Sequence, residues 1–314
     1  MENQDPDRGL EHGLDHDPDH DRIRAILARI PGWRAEEAVI GPLGGLTNQN
    51  YRIDFGNEAF ALRLGGQGTA LLGIDRYHEL AATEIAAAAG IGPEVFFADP
   101  VQDILVTRLI QGEGLAPESV SRPEVMAAVV DALRRCHASP AFPGHFSAFA
   151  VVRSYRDLAL AHGVVLPPAA TQALALMEEL AAVLDPPAQL VPCHNDLLAG
   201  NFLRDQRSIR IIDWEYAGMG DVFFDLGNFA ANQELDSKGL SLLLELYFGS
   251  VEPAALVRLR LMQAVSNLRE AFWGYAQAGI SRLDIDYPAY AGTYLARFLQ
   301  AAQADGFKSL MRRL

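Results

Sequence analysis

Lysine is nearly missing from this chain of 314 residues; the only two, Lys238 and Lys308, both fall after residue 237. Any cation needed earlier must therefore be arginine or histidine. Cysteine is equally scarce. Cys136 and Cys193 offer no disulfide framework and no metal-ligand spacing, which fits a reducing, cytoplasmic location. No apolar run is long enough to cross a bilayer, and the acidic, polar N-terminus lacks the pattern of a secretory signal, so no membrane insertion is expected. Positive charge is in deficit. A net charge of -14 and a pI near 5.0 disfavour nucleic acid and anionic membranes as partners. The same balance suits a cationic small molecule, although acidic solubility alone would account for it.

What is present is apolar mass: 50 % of the residues are hydrophobic and the mean hydropathy is +0.06, enough for two lobes with a sizeable core. Residues 1–21 read as a disordered acidic tail, in which His12, His16 and His20 form at most a weak metal site. No internal repeat is visible. After a short helical pattern at 23–30 come β-rich runs at 37–43, 50–55 and 59–64, separated by glycine turns as in an antiparallel meander. An alanine-rich helix at 75–89 ends at Gly90, and strands at 94–98 and 104–110 follow. The polar segment 111–114 (QGEG) is the expected boundary between an N-lobe, 22–110, and a C-lobe, 111–314. The C-lobe pattern is helical at 123–137, 153–162, 171–184 and from 224 onward, with short strands at 189–193 and 209–213. Strands first and helices afterwards predict an α+β, two-lobed fold.

The chemistry concentrates in CHNDLLAGNFL, residues 193–203. Asp196 and Asn201 sit beside Leu197, Leu198 and Phe202, so polar groups are held at the edge of a core, at a cost unless something binds them. Asp213 then follows the apolar run 209–212. An acid, an amide and a second acid across an intervening hairpin suit a magnesium–phosphate site, because Mg²⁺ takes hard oxygen ligands and only a few of them from protein. The remaining carboxylate, Asp196, can accept a proton from an alcohol. Singly, Asp196 and Asn201 are ordinary turn formers; together with His194 and Asp213 they match the order of a kinase catalytic loop and metal-binding aspartate.

Such a site needs a cation for the nucleotide phosphates, held by an acid from a helix. Arg63 lies in the strand AFALRL, on the face of Ala59 and Ala61, and Glu79 lies in the following helix; Glu84 is the alternative partner. HELAA on that helix begins like a zinc-peptidase motif but lacks the second histidine. Gly44, Gly45, Thr47 and Asn48, in GGLTN, form either a plain hairpin turn or a loop whose amides approach ATP.

These segments resemble the choline/ethanolamine kinase family of the aminoglycoside-phosphotransferase-like, protein-kinase-like group. The resemblance is carried by GGLTNQNYRI, LRL, IDRYHE with GIGP, CHNDLLAGN and IDWEYAGMGDVFFDLGNF, and more weakly by REAFWGYAQAGISRLDIDYPAYA. It implies ATP and Mg²⁺ as cofactors, Asp196 as catalytic base, Asn201 and Asp213 as metal ligands, and Arg63 with Glu79 as the phosphate anchor. Asp225 would brace the loop, and His194 would be a packed loop residue. Glu215, Tyr216, Glu270 and Trp273 would meet the acceptor, a small cationic amino-alcohol such as choline or ethanolamine, the protein acting as monomer or homodimer. A quaternary ammonium is held by aromatic faces and carboxylates, although helical periodicity alone would make Trp273 a core residue. Glu270 stands where the family commonly has a second aromatic, and Leu198 where it commonly has a polar residue. Thiamine, a sugar or an aminoglycoside are alternative acceptors, and a non-catalytic ligand-binding protein is the alternative of another class.

Overall fold

A computed structural model describes residues 18–44, 48–66, 68–120, 122–187, 189–205 and 208–304, with residues 307 and 311. The first helix, α1 (Pro18–Leu27), starts earlier than the sequence pattern implied, so residues 18–21 of the expected tail, including His20, are helical. A proline at the head of a helix forfeits no internal hydrogen bond. His12 and His16 lie outside the described residues.

Five antiparallel strands follow: β1 (Val39–Pro42), β2 (Gln49–Phe55), β3 (Glu58–Leu64), then α2 (Arg76–Ala88), β4 (Val95–Asp99) and β5 (Ile104–Arg108), in the sheet order β1-β2-β3-β5-β4. The β2–β3 hairpin turns through Gly56, whose φ of 62° is in the left-handed region that such tight turns require. Alternation along β3 sends Phe60, Leu62 and Leu64 into a core with Ile23 and Leu27 of α1. Burying each such side chain contributes roughly 1.5–3 kcal/mol. The opposite face of β3 carries Arg63 toward α2.

The segment expected as a plain connector pairs instead: β6 (Glu113–Gly114) joins a second sheet. The chain continues through α3 (Pro117–Val120), α4 (Pro123–His137), α5 (Ala148–Ala161) and α6 (Pro168–Leu184). Helix α5 begins before the expected residue 153 because Ser147 caps it, its hydroxyl accepting from Ala150 N. Then come β7 (Val191–Cys193), β8 (Phe202–Arg204), β9 (Ile209–Ile211), β10 (Gly218–Gly220), α7 (Val222–Asn232), α8 (Ser237–Phe248), α9 (Pro253–Ile280) and α10 (Tyr287–Gln303). The small sheets β6-β8-β9 and β10-β7 frame residues 194–217. Helix α9 is the central element, packed by α5, α7 and α10. Gly227 permits the closest of these approaches: a Cβ there would come within 2.7 Å of the α9 backbone at Met262 and Gln263. The α+β order predicted from the sequence is thus present. No single helix among the described residues is long and apolar enough to cross a membrane.

Candidate active site

The loop after β7 is held from behind by α7. Asp221 caps that helix, accepting from Phe223 N, and its first turn presents Asp225. Asp225 accepts from His194 N at 2.9 Å, Asn195 N at 2.6 Å and His137 Nε2 at 3.0 Å. Burial alone would raise the Asp225 carboxyl; His137 and the loop amides outweigh it and hold the group below its ordinary value. Asn228, one turn on, accepts from Leu197 N and donates to Ser266 of α9. These bonds hold Asn195 in the left-handed region at φ 67°, a conformation that persists only when its surroundings enforce it.

His194 is buried, with Nε2 on Ile212 O at 3.0 Å and Nδ1 accepting from Asp196 N at 3.2 Å. Both roles suit a neutral ring, and burial lowers its pKa from 6.5. Among the described residues, His137, Cys193 and Asp225 also bring ligand-type atoms within 4.8 Å of one another. Both ring nitrogens of His137 are occupied, however, by Asp225 and by Tyr247 Oη at 2.7 Å. His137 and Asp225 form a hydrogen-bonded brace, with Cys193 packed beside them.

Asp196 and Asn201 are both buried, and the Asn201 amide donates to Asp196 O at 2.8 Å. That bond uses the amide nitrogen and leaves Asn201 Oδ1 as its group for a cation. The Asn201 backbone oxygen accepts from Ile212 N at 2.9 Å, which ties the loop to the end of β9 and brings Asp213 beside it. Asp213 lies just past β9 and, like Asn195, has φ 67°. Burial, then the charges of Glu215, Asp196 and Glu79, push its carboxyl well above the ordinary value, opposed by Arg63. The hard oxygen donors of Asn201 and Asp213, set among further carboxylates, fit a divalent cation such as Mg²⁺.

Two arginines face this group from the first sheet and α2. Arg63 donates to Glu79 Oε2 at 3.0 Å and to Asp103 Oδ1 at 2.7 Å; Glu84 is exposed on the far side of the helix. Arg76 donates to Glu79 at 2.8 Å and to Glu215 Oε2 at 3.0 Å, and also pairs with Asp103. Asn48 completes the cluster, donating to Glu215 at 2.9 Å and accepting from Arg76 at 3.2 Å. Glu215 therefore sits with Arg76 and Asn48. Gly44 has φ 78° and its carbonyl accepts from Asn50; Gly45 and Thr47 lie outside the described residues.

On the α9 side of Asp196, Tyr216 lies against the Arg269 guanidinium, and Glu270 and Trp273 both meet Tyr290. Trp273 meets Tyr290 edge-on at 5.6 Å and Tyr287 at 5.9 Å. Glu270 is buried, accepting from Tyr290 Oη at 2.5 Å and from Arg269 at 2.6 Å. Gly274 lets α10 approach this closely, since a Cβ there would lie 3.1 Å from the Tyr290 ring.

A family model described as a phosphotransferase enzyme family matches residues 39–260. The chain is 31 % identical to a solved choline/ethanolamine kinase family protein from Mesorhizobium loti, with a TM-score of 0.80, covering 93 % of this chain and 97 % of that one. The chain belongs to the phosphotransferase enzyme family, in its choline/ethanolamine kinase branch. Protein LicA of Haemophilus influenzae is 30 % identical over 213 residues, 65 % of this chain and 61 % of that protein, so the match spans less than two thirds of the relative's length. Human ethanolamine kinase 1 is 26 % identical over 315 residues, 86 % of this chain and 68 % of that protein. The kinase-like fold expected from the sequence is the fold of this phosphotransferase.

Arg76, Asp103, Arg269 and Tyr290 were not singled out from the sequence. Arg76 had a signal: it opens α2, where the helix dipole disfavours a cation, so it needed acids from elsewhere. Arg269 had one too, as a charge inside an apolar helix stretch.

Proposed function

We propose that this phosphotransferase transfers the γ-phosphoryl group of ATP, with Mg²⁺, to the hydroxyl of a small cationic amino-alcohol. Choline and ethanolamine are the acceptors to which the relatives' names point. The observation that carries the reading is the joining of Asp196, Asn201 and Asp213 by the bonds from Asn201 and Ile212, opposite the Arg63–Glu79 pair.

In this reading Asp196 accepts a hydrogen bond from the acceptor hydroxyl, orients its oxygen for attack and takes its proton as the new O–P bond forms, the bond from the γ-phosphorus to the β,γ-bridging oxygen breaks and ADP leaves. Asn201 Oδ1 and the Asp213 carboxylate hold Mg²⁺, which offsets phosphate charge. Arg63, kept in place by Glu79 and Asp103, anchors the phosphates from the opposite side. Tyr216 and Trp273 face the acceptor's cationic end, each aromatic contact contributing about 0.5–2 kcal/mol. Positioning and fixed charge do most of the work.

The test is a coupled assay of ATP consumption with choline, ethanolamine, thiamine, a sugar and an aminoglycoside as acceptors, with and without Mg²⁺. Turnover confined to the small amino-alcohols is expected. Preference for an aminoglycoside or sugar would overturn the acceptor class, and nucleotide binding without phosphate transfer to any of them would overturn the enzyme reading.

A further inference from the structure

We propose that Arg269 is a positioning residue of phosphoryl transfer, fixing the rotation of the Asp196 carboxylate from the middle of α9 while Glu270 and Tyr290 fix Arg269. The inference rests on the reading of Asp196 as the group that orients the acceptor hydroxyl.

Arg269 is only 2 % exposed. A buried guanidinium is expensive unless well paired, and apolar packing at such a position is often at least as stabilising. Its presence in the core therefore calls for a role besides holding helices together. Its Nη2 donates to Asn195 O and to Asp196 Oδ1, both at 2.9 Å, so one nitrogen grips the loop's backbone and its carboxylate together. Its Nη1 donates to Glu270 Oε2, and its plane lies over the Tyr216 ring at 5.1 Å. Burial would push the Arg269 proton off, but Asp196 and Glu270 more than offset this, and the group stays charged.

With Oδ1 engaged, the Asp196 carboxylate cannot spin about its last bond, and Oδ2 is left for the acceptor hydroxyl. Arginine can do this because its planar fork addresses two partners at fixed angles; an ammonium is a point donor. Glu270, with one oxygen on Arg269 and the other on Tyr290, serves this clamp and is not a free counter-ion for the acceptor. The charges of Asp196, Arg269 and Glu270 sum to one negative. Removing the guanidinium leaves two carboxylates near the acceptor, which does not weaken binding of a cation. A loosened clamp therefore lowers turnover and leaves acceptor KM unchanged or lower. General loosening of the site would raise KM as turnover falls.

The test is steady-state kinetics of Arg269→Met and Arg269→Lys, with Arg269→Met also made in an Asp196→Asn background. Arg269→Met should lower kcat about 100-fold, the order expected of roughly 1 Å of misplacement, with acceptor KM no higher than wild type. Arg269→Lys should recover part of the loss. In the Asp196→Asn background the same change should alter the residual rate less than about threefold, because residues acting as a unit are not additive. A kcat within threefold of wild type, a raised acceptor KM, or a full multiplicative loss in that background would overturn the proposal. Should Arg269→Met fail to fold, Arg269→Met with Glu270→Gln strands one carboxylate fewer and carries the same expectations. If wild type phosphorylates none of the acceptors, the functional reading fails. The clamp is then judged by urea unfolding: Asp196→Asn should restore part of the stability lost in Arg269→Met, and no recovery would sink the pairing.

Discussion

Two arginine centres flank the Asp196 loop, and they differ in how completely their charges are committed. On the first-sheet side, Arg63 and Arg76 share Glu79 and Asp103, Arg76 also holds Glu215, and Asp103 remains 28 % exposed. On the α9 side, Arg269 is sealed, with Nη2 on the Asp196 carboxylate and Nη1 on that of Glu270. A shared, partly open cluster can exchange a carboxylate for a phosphate at small cost, because partners replace one another. A sealed cluster cannot exchange anything without stranding a buried charge. The first centre is thus suited to receive a ligand and the second to keep a catalytic group still.

If that division holds, damage to the Asp196 side should fall on turnover and damage to the Arg63 side on nucleotide. The largest effect expected is for Asp196→Ala: turnover falls about 10³-fold or more, while nucleotide affinity by calorimetry stays within about threefold. Near-wild-type turnover would remove the chemical role from the loop. Next is Arg76→Met, which leaves Glu79 and Glu215 buried without their shared cation. A loss of about 3 kcal/mol in urea unfolding is expected, with partial recovery on adding Glu215→Gln. Unchanged stability would mean the shared cluster is slack in solution. A smaller change, about tenfold in KM for ATP with acceptor KM unmoved, is expected for Arg63→Met. Equal shifts in both KM values would erase the distinction between the centres.

The smallest effect expected is on pH dependence. Burial holds the His194 pKa below 6.5. As pH falls below 6.5, the unfolded chain takes up a proton that the native ring refuses, so stability declines with acidification there. Asp225, held below its ordinary 3.8, adds stability that is present above about 3.8 and is lost only in stronger acid. Urea midpoints measured from pH 7.5 to 5 should slope downward, and His194→Gln should flatten the slope. An unaltered slope would show that the ring is not the titrating group.

Much of the site was legible in one short segment. His194, Asp196 and Asn201 are within eight residues, and Asp213 follows one hairpin later, so spacing alone brings them near each other. The Arg63–Glu79 contact was readable because a strand and the next helix pack locally, 16 residues apart. The resemblance implies Glu215 at the acceptor; the bonds its side chain makes to Asn48 and Arg76, 167 and 139 residues away, were not legible in local spacing.

Short-range patterning in the chain was sufficient for the strand-then-helix order, for the closeness of Asp196, Asn201 and the residues after β9, and for the need for arginine where lysine is absent. It was silent on which buried charges neutralise which. Arg76 meets Glu215 across 139 residues and Arg269 meets Asp196 across 73. Periodicity reports which face of an element is apolar, whereas ion pairing depends on where distant elements dock, and that follows from the packing of α7, α9 and α10 as whole bodies.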